Sequence, residues 1–118
     1  MNKRELGTIY EQKACDLLLK EGYTIIERNF YSHHNEIDII ASKDGCIVFI
    51  EVKYRATSSY GYPHDAITPS KIRSIIKSAK YYLYSHGYRE DTPVSFDCIL
   101  ISGEEIIHIK NAFDCDGR

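Results

Sequence analysis

Two charged residues interrupt the most apolar segment of the sequence. Glu51 and Lys53 follow the run Ile47–Ile50, which has the composition of a buried β-strand. Residues two apart on a strand project from the same face, so Glu51 and Lys53 share a face with Ile47 and Phe49. Two charged groups at the end of a buried strand cost free energy unless something pairs with them. The sequence therefore directs the search for chemistry to this strand end.

A second pair of acids lies in the preceding segment. Glu36 and Asp38 alternate with the isoleucines at 37 and 39, a pattern that places both acids on one face of a short strand and both isoleucines on the other. The sequence Lys43-Asp44-Gly45 is typical of a hairpin turn. If this turn pairs the two strands, Asp38 and Glu51 meet near one end of the hairpin.

Such a pair of carboxylates suits a metal ion. Asp38, Glu51 and the backbone carbonyl of Val52 offer the hard oxygen ligands that Mg²⁺ or Mn²⁺ prefers. A bound ion polarises a phosphoryl oxygen and lowers the pKa of a water molecule, and Lys53 could position or deprotonate that water. A cross-strand salt bridge between Lys53 and one carboxylate is the alternative, because a short Glu-x-Lys pattern also occurs by chance.

Glu11 would add a further carboxylate from a helix. Successive helical residues turn by about 100°, so Glu11 lies on the side of Ala14, Cys15 and Leu18, which is predicted to be buried. From there its carboxylate could supply another ligand or orient the water. A glutamate that keeps its charge in solvent is the alternative.

The second predicted helix is basic. It carries Lys71, Arg73, Lys77 and Lys80 and contains no acidic residue. The last three are spaced i, i+4 and i+7, so they share a face. With Arg55 at the end of the charged strand, these cations predict a surface that contacts phosphates. An ordinary solvated helix face is the alternative.

The elements that position these residues follow from periodicity. Apolar residues at helical spacing predict a first helix from about Lys3 to Glu21, ended by Gly22. Thr68 and Pro69 are typical of an N-cap and first residue of the second helix, which Gly87 ends. Strands are predicted at about 23–28, 36–40, 46–54, 94–101 and 105–110, and a long loop at 56–68. The order α-β-β-β-α-β-β indicates an α/β architecture, a mixed β-sheet flanked by helices.

Composition sets the outer limits. The 118 residues are expected to form one domain, 1–118, and 43% hydrophobic with 27% charged residues exclude a disordered chain. A net charge of −2 and a pI near 6.2 mean that nucleic-acid binding would need a local basic face or a metal. No apolar run approaches the ~20 residues of a membrane span, and none resembles a signal peptide. We therefore expect a cytoplasmic protein with no membrane partner.

Several segments together resemble the YraN-like family of small uncharacterised bacterial proteins. They are Glu11, NEIDII at 35–40, FIEVKYR at 49–55, Tyr60-Gly61, Lys71, Phe96-Asp97 and HIKNAF at 108–113. That family is similar to the restriction-endonuclease-like, PD-(D/E)xK superfamily, which includes archaeal Holliday junction resolvases. Asn35 and Ser95 stand where the family commonly has glycine and arginine.

The resemblance implies a restriction-endonuclease-like fold and a metal-dependent, endonuclease-like protein that hydrolyses phosphodiester bonds in DNA, with branched or structured DNA as a candidate substrate. Asp38, Glu51 and Lys53 would be the signature triad, with Mg²⁺ or Mn²⁺ on the two acids and Glu11 as the helix-borne acid. A homodimer is suggested, since junction-cutting enzymes of this fold are usually dimers. The basic residues would contact the phosphate backbone: Arg55, Lys71, Arg73 and Lys77. A catalytically inactive nucleic-acid-binding or adaptor protein on the same fold is the alternative.

Overall fold

The computed structural model describes residues 2–32, 35–55 and 67–117. Its elements are α1 (Lys3–Lys20), β1 (Thr24–Ser32), β2 (Asn35–Lys43), β3 (Cys46–Arg55), α2 (Pro69–Ser85), β4 (Val94–Ser102) and β5 (Glu105–Phe113). The strands form one sheet in the order β1-β2-β3-β4-β5. β3 and β4 are parallel, and the other neighbouring pairs are antiparallel. The predicted element order and mixed sheet are confirmed, whereas the predicted loop lies almost entirely outside the described residues.

Helix α1 covers one face of the sheet. A capping box between Asn2 and Glu5 begins the helix, and Gly22, with a φ of 92°, ends it as predicted. The side of α1 that carries Ala14 and Leu18 is buried against residues of β2, β3 and β4. Because Glu11 lies one turn before this buried segment, the packing places its carboxylate over the sheet. Among the described residues, neither helix combines the length and the apolar character that crossing a membrane requires.

Helix α2 covers the opposite face. Thr68 caps it, and its hydroxyl accepts a hydrogen bond from the backbone N–H of Lys71 at 3.2 Å. The apolar side of α2 is buried together with Phe49 and Phe96 of the sheet: Ile75, Ile76, Ala79 and Tyr82. The sheet is therefore the middle layer of three, with one helix on each face.

Strand β1 ends later in the sequence, and strand β2 begins earlier, than predicted. The segment Ser32–Asn35 has the polar composition of a turn, yet Ser32 still belongs to β1 and Asn35 already belongs to β2. Ser32 is buried, and its hydroxyl donates a hydrogen bond to the hydroxyl of Ser78 in α2 at 2.9 Å. Periodicity could not predict this strand end, because Ser32 is polar and its burial depends on a hydrogen bond to α2. The intervening residues, 33 and 34, lie outside the described residues.

Strand β5 extends three residues past its predicted end at Lys110. Asn111 adopts a φ of 52°, a conformation that asparagine tolerates, and the pairing register of β4 and β5 shifts next to it. The chain then returns Phe113 to the core, where its ring stacks on Phe96 with centroids 5.0 Å apart. Asn111 interrupts the apolar alternation, which is why the pattern predicted an earlier end.

A buried histidine links the end of α1 to the far strands. His108 of β5 contacts Asp97 of β4 through Nε2 at 2.7 Å and Glu21 through Nδ1 at 2.8 Å. Asp97 also accepts hydrogen bonds from the hydroxyl of Ser95 at 2.5 Å and from the backbone N–H of Asn111 at 3.1 Å. Since both ring nitrogens face carboxylates, both donate, and the ring is an imidazolium. We call these residues the histidine network.

Candidate metal-binding site

The side chains of β2 change face at Asp38. Ile37 is buried on the α2 side of the sheet and Ile39 on the α1 side, although residues two apart on a regular strand share a face. The prediction that these isoleucines share a face is therefore wrong. Pairing between β2 and β3 begins only at Ile39 and Ile50, so Asp38 lies where the two strands separate.

This separation turns the Asp38 carboxylate toward β3. Its Oδ2 accepts a hydrogen bond from the backbone N–H of Val52 at 2.8 Å, so the side chain continues the link between the strands beyond the last backbone pair. The same carboxylate is hydrogen-bonded to the side chain of Glu51. The two acids that the hairpin was expected to bring together are thus in contact.

Glu51 is buried with one oxygen unsatisfied. The residue is 9% exposed, and its Oε2 has no hydrogen-bond partner among the described residues. The ammonium Nζ of Lys71 lies 3.7 Å from Oε2, beyond hydrogen-bond range. Burial, followed by the charge of Asp38, raises the pKa of Glu51 to about 8. The pair therefore shares a proton near neutral pH unless a cation replaces it.

Lys71 is held in place by the first residue of β2. Its Nζ donates a hydrogen bond to Oδ1 of Asn35 at 2.8 Å, and its half-buried side chain spans from α2 to the sheet. Asn35 is buried, and its Nδ2 has no partner among the residues described. Asn35 therefore fixes the lysine beside Glu51.

Glu11, Glu36 and Asp38 form a further acidic group on the α1 side. One carboxylate oxygen of each lies within 4.8 Å of those of the other two. Burial, then the charges of Asp38 and Glu36, raise the pKa of Glu11, and burial followed by Asp38 raises that of Glu36. No role was predicted for Glu36, although its spacing of two residues from Asp38 was a signal that could have indicated one.

Lys53 lies at the open edge of the site. It is exposed, and its charge lowers the pKa of Glu51, which places its ammonium in the field of the acids. Within the ranges that the structure describes, Lys53 forms no salt bridge with a carboxylate. The alternative explanation of Glu51 and Lys53 as a simple cross-strand ion pair therefore finds no support in the geometry.

The other predicted cations are distributed around α2 and β3. Arg55 follows Lys53 on the same face of β3 and is half-buried. Arg73 and Lys77 are exposed. Two helical residues apart correspond to a rotation of about 200°, so the flank of α2 that carries Arg73 is opposite the flank from which Lys71 reaches Asn35. The structure brings Lys71 to the acids and places Arg73 and Lys77 apart from them.

A groove of about 540 Å³ runs along α1 beside the acids. Its lining residues are Lys3, Arg4, Gly7, Thr8, Glu11, Asn29 and Glu36. A Cβ added to Gly7 would meet nothing within 4 Å, so the groove is open at that point. With a rise of 1.5 Å per residue, the two cations lie roughly 10 Å along the helix from Glu11. One groove therefore joins a basic end to an acidic end.

Comparisons with known proteins agree with this architecture. The model of the uncharacterised protein family UPF0102 matches residues 10–101. A UPF0102 protein of Fusobacterium nucleatum is 48% identical over 94% of this chain and 92% of its own length. Another, from Lachnoclostridium phytofermentans, is 45% identical over 99% of both chains.

Similarity also extends to a solved structure. A Holliday junction resolvase from Archaeoglobus fulgidus superposes with a TM-score of 0.51 and 17% identity, covering 87% of this chain and 75% of that one. At this level of identity, the similarity concerns the fold alone. It confirms the predicted restriction-endonuclease-like fold, in which a mixed five-stranded sheet is flanked by two helices.

Proposed function

The chain belongs to the uncharacterised protein family UPF0102, and on that premise we propose that it is a metal-dependent endonuclease that hydrolyses phosphodiester bonds in DNA. The observation that supports this proposal best is the contact between Asp38 and Glu51, with a buried, unsatisfied Oε2 on Glu51. Buried polar atoms are normally paired, and a carboxylate pair in this state is suited to a cation that arrives from outside the chain. A protein that cuts bacterial DNA would act in the cytoplasm.

The donor set fits a hard divalent ion. Asp38, Glu51 and the backbone carbonyl of Val52 would hold Mg²⁺ or Mn²⁺, and binding would displace the proton that the acid pair shares. When bound, such an ion polarises the phosphoryl group and lowers the pKa of a water molecule. Glu11 would orient that water or complete the ligand set.

The remaining residues of the site act on water and phosphate. Lys53, exposed beside Glu51, would position the attacking water and offset charge on the phosphate. Lys71, held by Asn35 at 2.8 Å, would keep one positive charge beside the acids before substrate arrives. Arg55 would contact the next phosphate along the bound DNA strand.

The basic residues outside the site indicate how substrate could lie. Lys3 and Arg4 would hold a strand in the groove that leads to Glu11 and Glu36. Arg73 and Lys77, on the far flank of α2, would be reached by a wider substrate, such as a duplex or a branched DNA. The archaeal protein that shares this fold is a Holliday junction resolvase, and we extend to this chain a preference for branched DNA and assembly as a homodimer.

The proposal is tested on labelled single-stranded, duplex, flap and four-way-junction DNA, each with Mg²⁺, Mn²⁺ or EDTA. Wild type is compared with Asp38→Asn, Glu51→Gln and Lys53→Ala, and with Glu104→Gln in the exposed β4–β5 turn as a matched control. We expect metal-dependent cutting that all three site variants lose and the control retains. Cutting that persists in the site variants would overturn the assignment. Binding without cutting, unchanged in Asp38→Asn, would instead support an adaptor protein.

The substrate path is tested by the salt dependence of DNA binding. Each phosphate contact contributes about −0.7 to the slope of log K against log salt for a single strand and about −0.9 for a duplex. We expect the double variant Lys3→Gln, Arg4→Gln to make the slope shallower on both single-stranded and duplex DNA. The change should correspond to the loss of about two phosphate contacts. Arg73→Gln with Lys77→Gln should make the slope shallower only on duplex or branched DNA. Equal effects of the two pairs on a single strand would contradict the proposed path.

A further inference from the structure

We infer that the outward face of α2 binds unpaired DNA bases, with tyrosine rings that stack on the bases and cations that hold the phosphates. This inference rests on the proposed nuclease function and deepens it, because it narrows branched DNA to duplexes that carry a single-stranded segment, such as a flap. The tyrosine–cation face, as we call it, consists of Arg73, Lys77, Lys80, Tyr81 and Tyr84. The family resemblance assigns no role to the two tyrosines.

The five residues of this face share one side of the helix. At about 100° per residue, the positions i−4, i+3, i+4 and i+7 relative to Lys77 all lie within about 60° of it. All five side chains are exposed, whereas Ile75 and Tyr82 point the other way and are buried against the sheet. With a rise of about 1.5 Å per residue, the face extends about 16 Å from Arg73 to Tyr84. It is therefore a continuous strip along the outer side of the helix.

The two tyrosine rings face solvent, although the helix has a core position for an aromatic ring. Tyr82 occupies that position and is 1% exposed, whereas Tyr81 is 45% and Tyr84 is 86% exposed. The ring of Tyr81 also stacks on Phe30 of β1, with centroids 6.4 Å apart and planes inclined by 28°. Neighbouring aromatic rings left in water are typical of a binding surface, and a ring already held in place loses little entropy when a base stacks on it.

The cations of this face have no counter-charge on the helix. No acidic residue occurs from Pro69 to Ser85, and within the described ranges no carboxylate forms a salt bridge with Arg73, Lys77 or Lys80. The chain as a whole carries a net charge of −2, so this concentration of positive charge is local. Proteins that bind single-stranded nucleic acid combine a positive surface with aromatic rings in the same way.

The rings select unpaired bases in the bound DNA. Within a duplex, each base is covered on both sides by its stacked neighbours, so a duplex offers phosphates to the cations but no open base to the tyrosines. An unpaired base exposes its ring, and stacking on an aromatic side chain contributes binding free energy whatever the identity of the base. The tyrosine–cation face therefore distinguishes flap DNA from a fully paired duplex without reading its sequence.

The position of the face determines which part of a substrate reaches it. Lys71 lies beside Glu51 at the start of α2, and Tyr81 follows ten residues, or about 15 Å, further along the helix. The groove that contains Lys3 and Arg4 lies along α1, on the opposite side of the sheet. A strand confined to that groove does not reach the tyrosines, whereas a duplex bound at the acids delivers its single-stranded segment to them at high effective concentration.

Binding of the full-length protein to labelled flap DNA and to a fully paired duplex of equal length tests the inference, in EDTA so that nothing is cut. Wild type is compared with the double variant Tyr81→Leu, Tyr84→Leu, which removes both rings, and with Tyr81→Phe, Tyr84→Phe, which keeps them. Fluorescence anisotropy should show about 10- to 100-fold weaker flap binding for the leucine variant, with duplex binding changed by less than about twofold. The phenylalanine variant should bind both DNA molecules as wild type does.

A base analogue locates the contact. Aminopurine, a fluorescent adenine analogue, should be quenched in the unpaired segment of the flap by wild type and by the phenylalanine variant, because stacking on a ring quenches it. It should remain bright with the leucine variant. Far-ultraviolet circular dichroism confirms that each variant is folded. If the double variant does not fold, Tyr84→Leu alone, at a side chain 86% exposed, should still weaken flap binding by about fivefold or more.

The outcomes separate this inference from the proposed function. Flap binding that the leucine variant retains, or loses equally on the paired duplex, would overturn the inference and leave the nuclease intact, and the face would then suit an acidic protein partner. An equal loss in the phenylalanine variant would assign the effect to the hydroxyl groups and overturn stacking. A selective loss of flap binding in a protein that cuts no DNA with Mg²⁺ would support the inference and overturn the nuclease. Folded wild type that binds neither DNA would overturn both.

Discussion

The acidic site and the histidine network contain the same kind of group in opposite electrostatic situations. Asp97 is 2% exposed, as deeply buried as any acid in the protein's described part, yet it accepts hydrogen bonds from His108, Ser95 and the backbone N–H of Asn111. Burial alone would raise its pKa, but the hydrogen bonds from His108 and Ser95 outweigh burial and lower it. Glu51 has no comparable donor, and its pKa is raised to about 8. Burial therefore identifies neither region as functional, whereas a missing counter-charge distinguishes them.

The difference indicates separate roles. In the histidine network, burial would lower the pKa of His108, but Asp97 and Glu21 raise it, so acid and base stabilise each other and brace α1 against β4 and β5. In the acidic site, burial and then the neighbouring carboxylates raise the pKa values of Glu11 and Glu36. The first arrangement is complete within the chain, and the second is completed by an ion that the chain must bind.

The largest expected effect is in the histidine network. His108→Ala would leave Asp97 buried without its charged partner, which typically costs 3–5 kcal/mol. Urea unfolding at pH 6 measures this loss, with Glu104→Gln as the control. A loss below about 1 kcal/mol would show that the network is as dispensable as a surface ion pair, and the comparison would fail.

The next effect has the opposite sign. In the metal-free protein at pH 7, Glu51→Gln removes an acid whose ionisation the fold opposes, and we expect about 1–3 kcal/mol of added stability. With saturating Mn²⁺, the wild type gains binding free energy that the variant loses, so the order of the two should reverse. The urea midpoints of the wild type and of Glu51→Gln, measured in EDTA and in Mn²⁺, test both expectations. Destabilisation in EDTA would mean that the structure already compensates Glu51.

The pH dependence of stability separates the two regions in the wild-type protein. The pKa of Glu51 is raised from 4.5 to about 8, so the folded state binds more protons, and metal-free stability falls as pH rises through this window. The raised pKa of His108 contributes stability that is complete below about 6.5 and is lost as pH rises through its folded value.

The contributions of Glu51 and His108 to the pH dependence of stability have the same sign, so a variant must separate them. Glu51→Gln should flatten the curve and leave the falls that belong to His108, Glu11 and Glu36, whose pKa values are also raised. Unfolding free energies in EDTA from pH 4.5 to 8.5 measure both. An unchanged slope in the variant would remove Glu51 from the explanation.

The smallest effect concerns Lys71, which reaches the acids from α2. Lys71→Gln should change stability by less than about 1 kcal/mol, because its side chain is partly exposed and lies 3.7 Å from Glu51. A cost comparable with that of His108→Ala would show that Lys71 is a true counter-charge, and the two regions would then be alike. Thermal unfolding of the two variants side by side is sufficient.

Local pattern determined most of the architecture. Periodicity predicted α1 and β3, and Thr68 with Pro69 predicted the start of α2. The turn at residues 43–45 was enough to predict that Asp38 lies near Glu51. The same reasoning placed Glu11 on the side of α1 that faces the sheet. These features depend on contacts a few residues apart or on a single hairpin, so the chain's own spacing specifies them.

Only the tertiary structure decided how the side chains are directed at the site. The change of face at Asp38 follows from the separation of β2 and β3, and it gathers Glu36 with Glu11. The packing of α2 sends Lys71 inward and leaves Arg73 and Lys77 on the other flank. His108 meets Glu21 across 87 positions of sequence. Periodicity describes which face a residue occupies, but the partner on that face comes from distant elements, and only the packed structure brings those together.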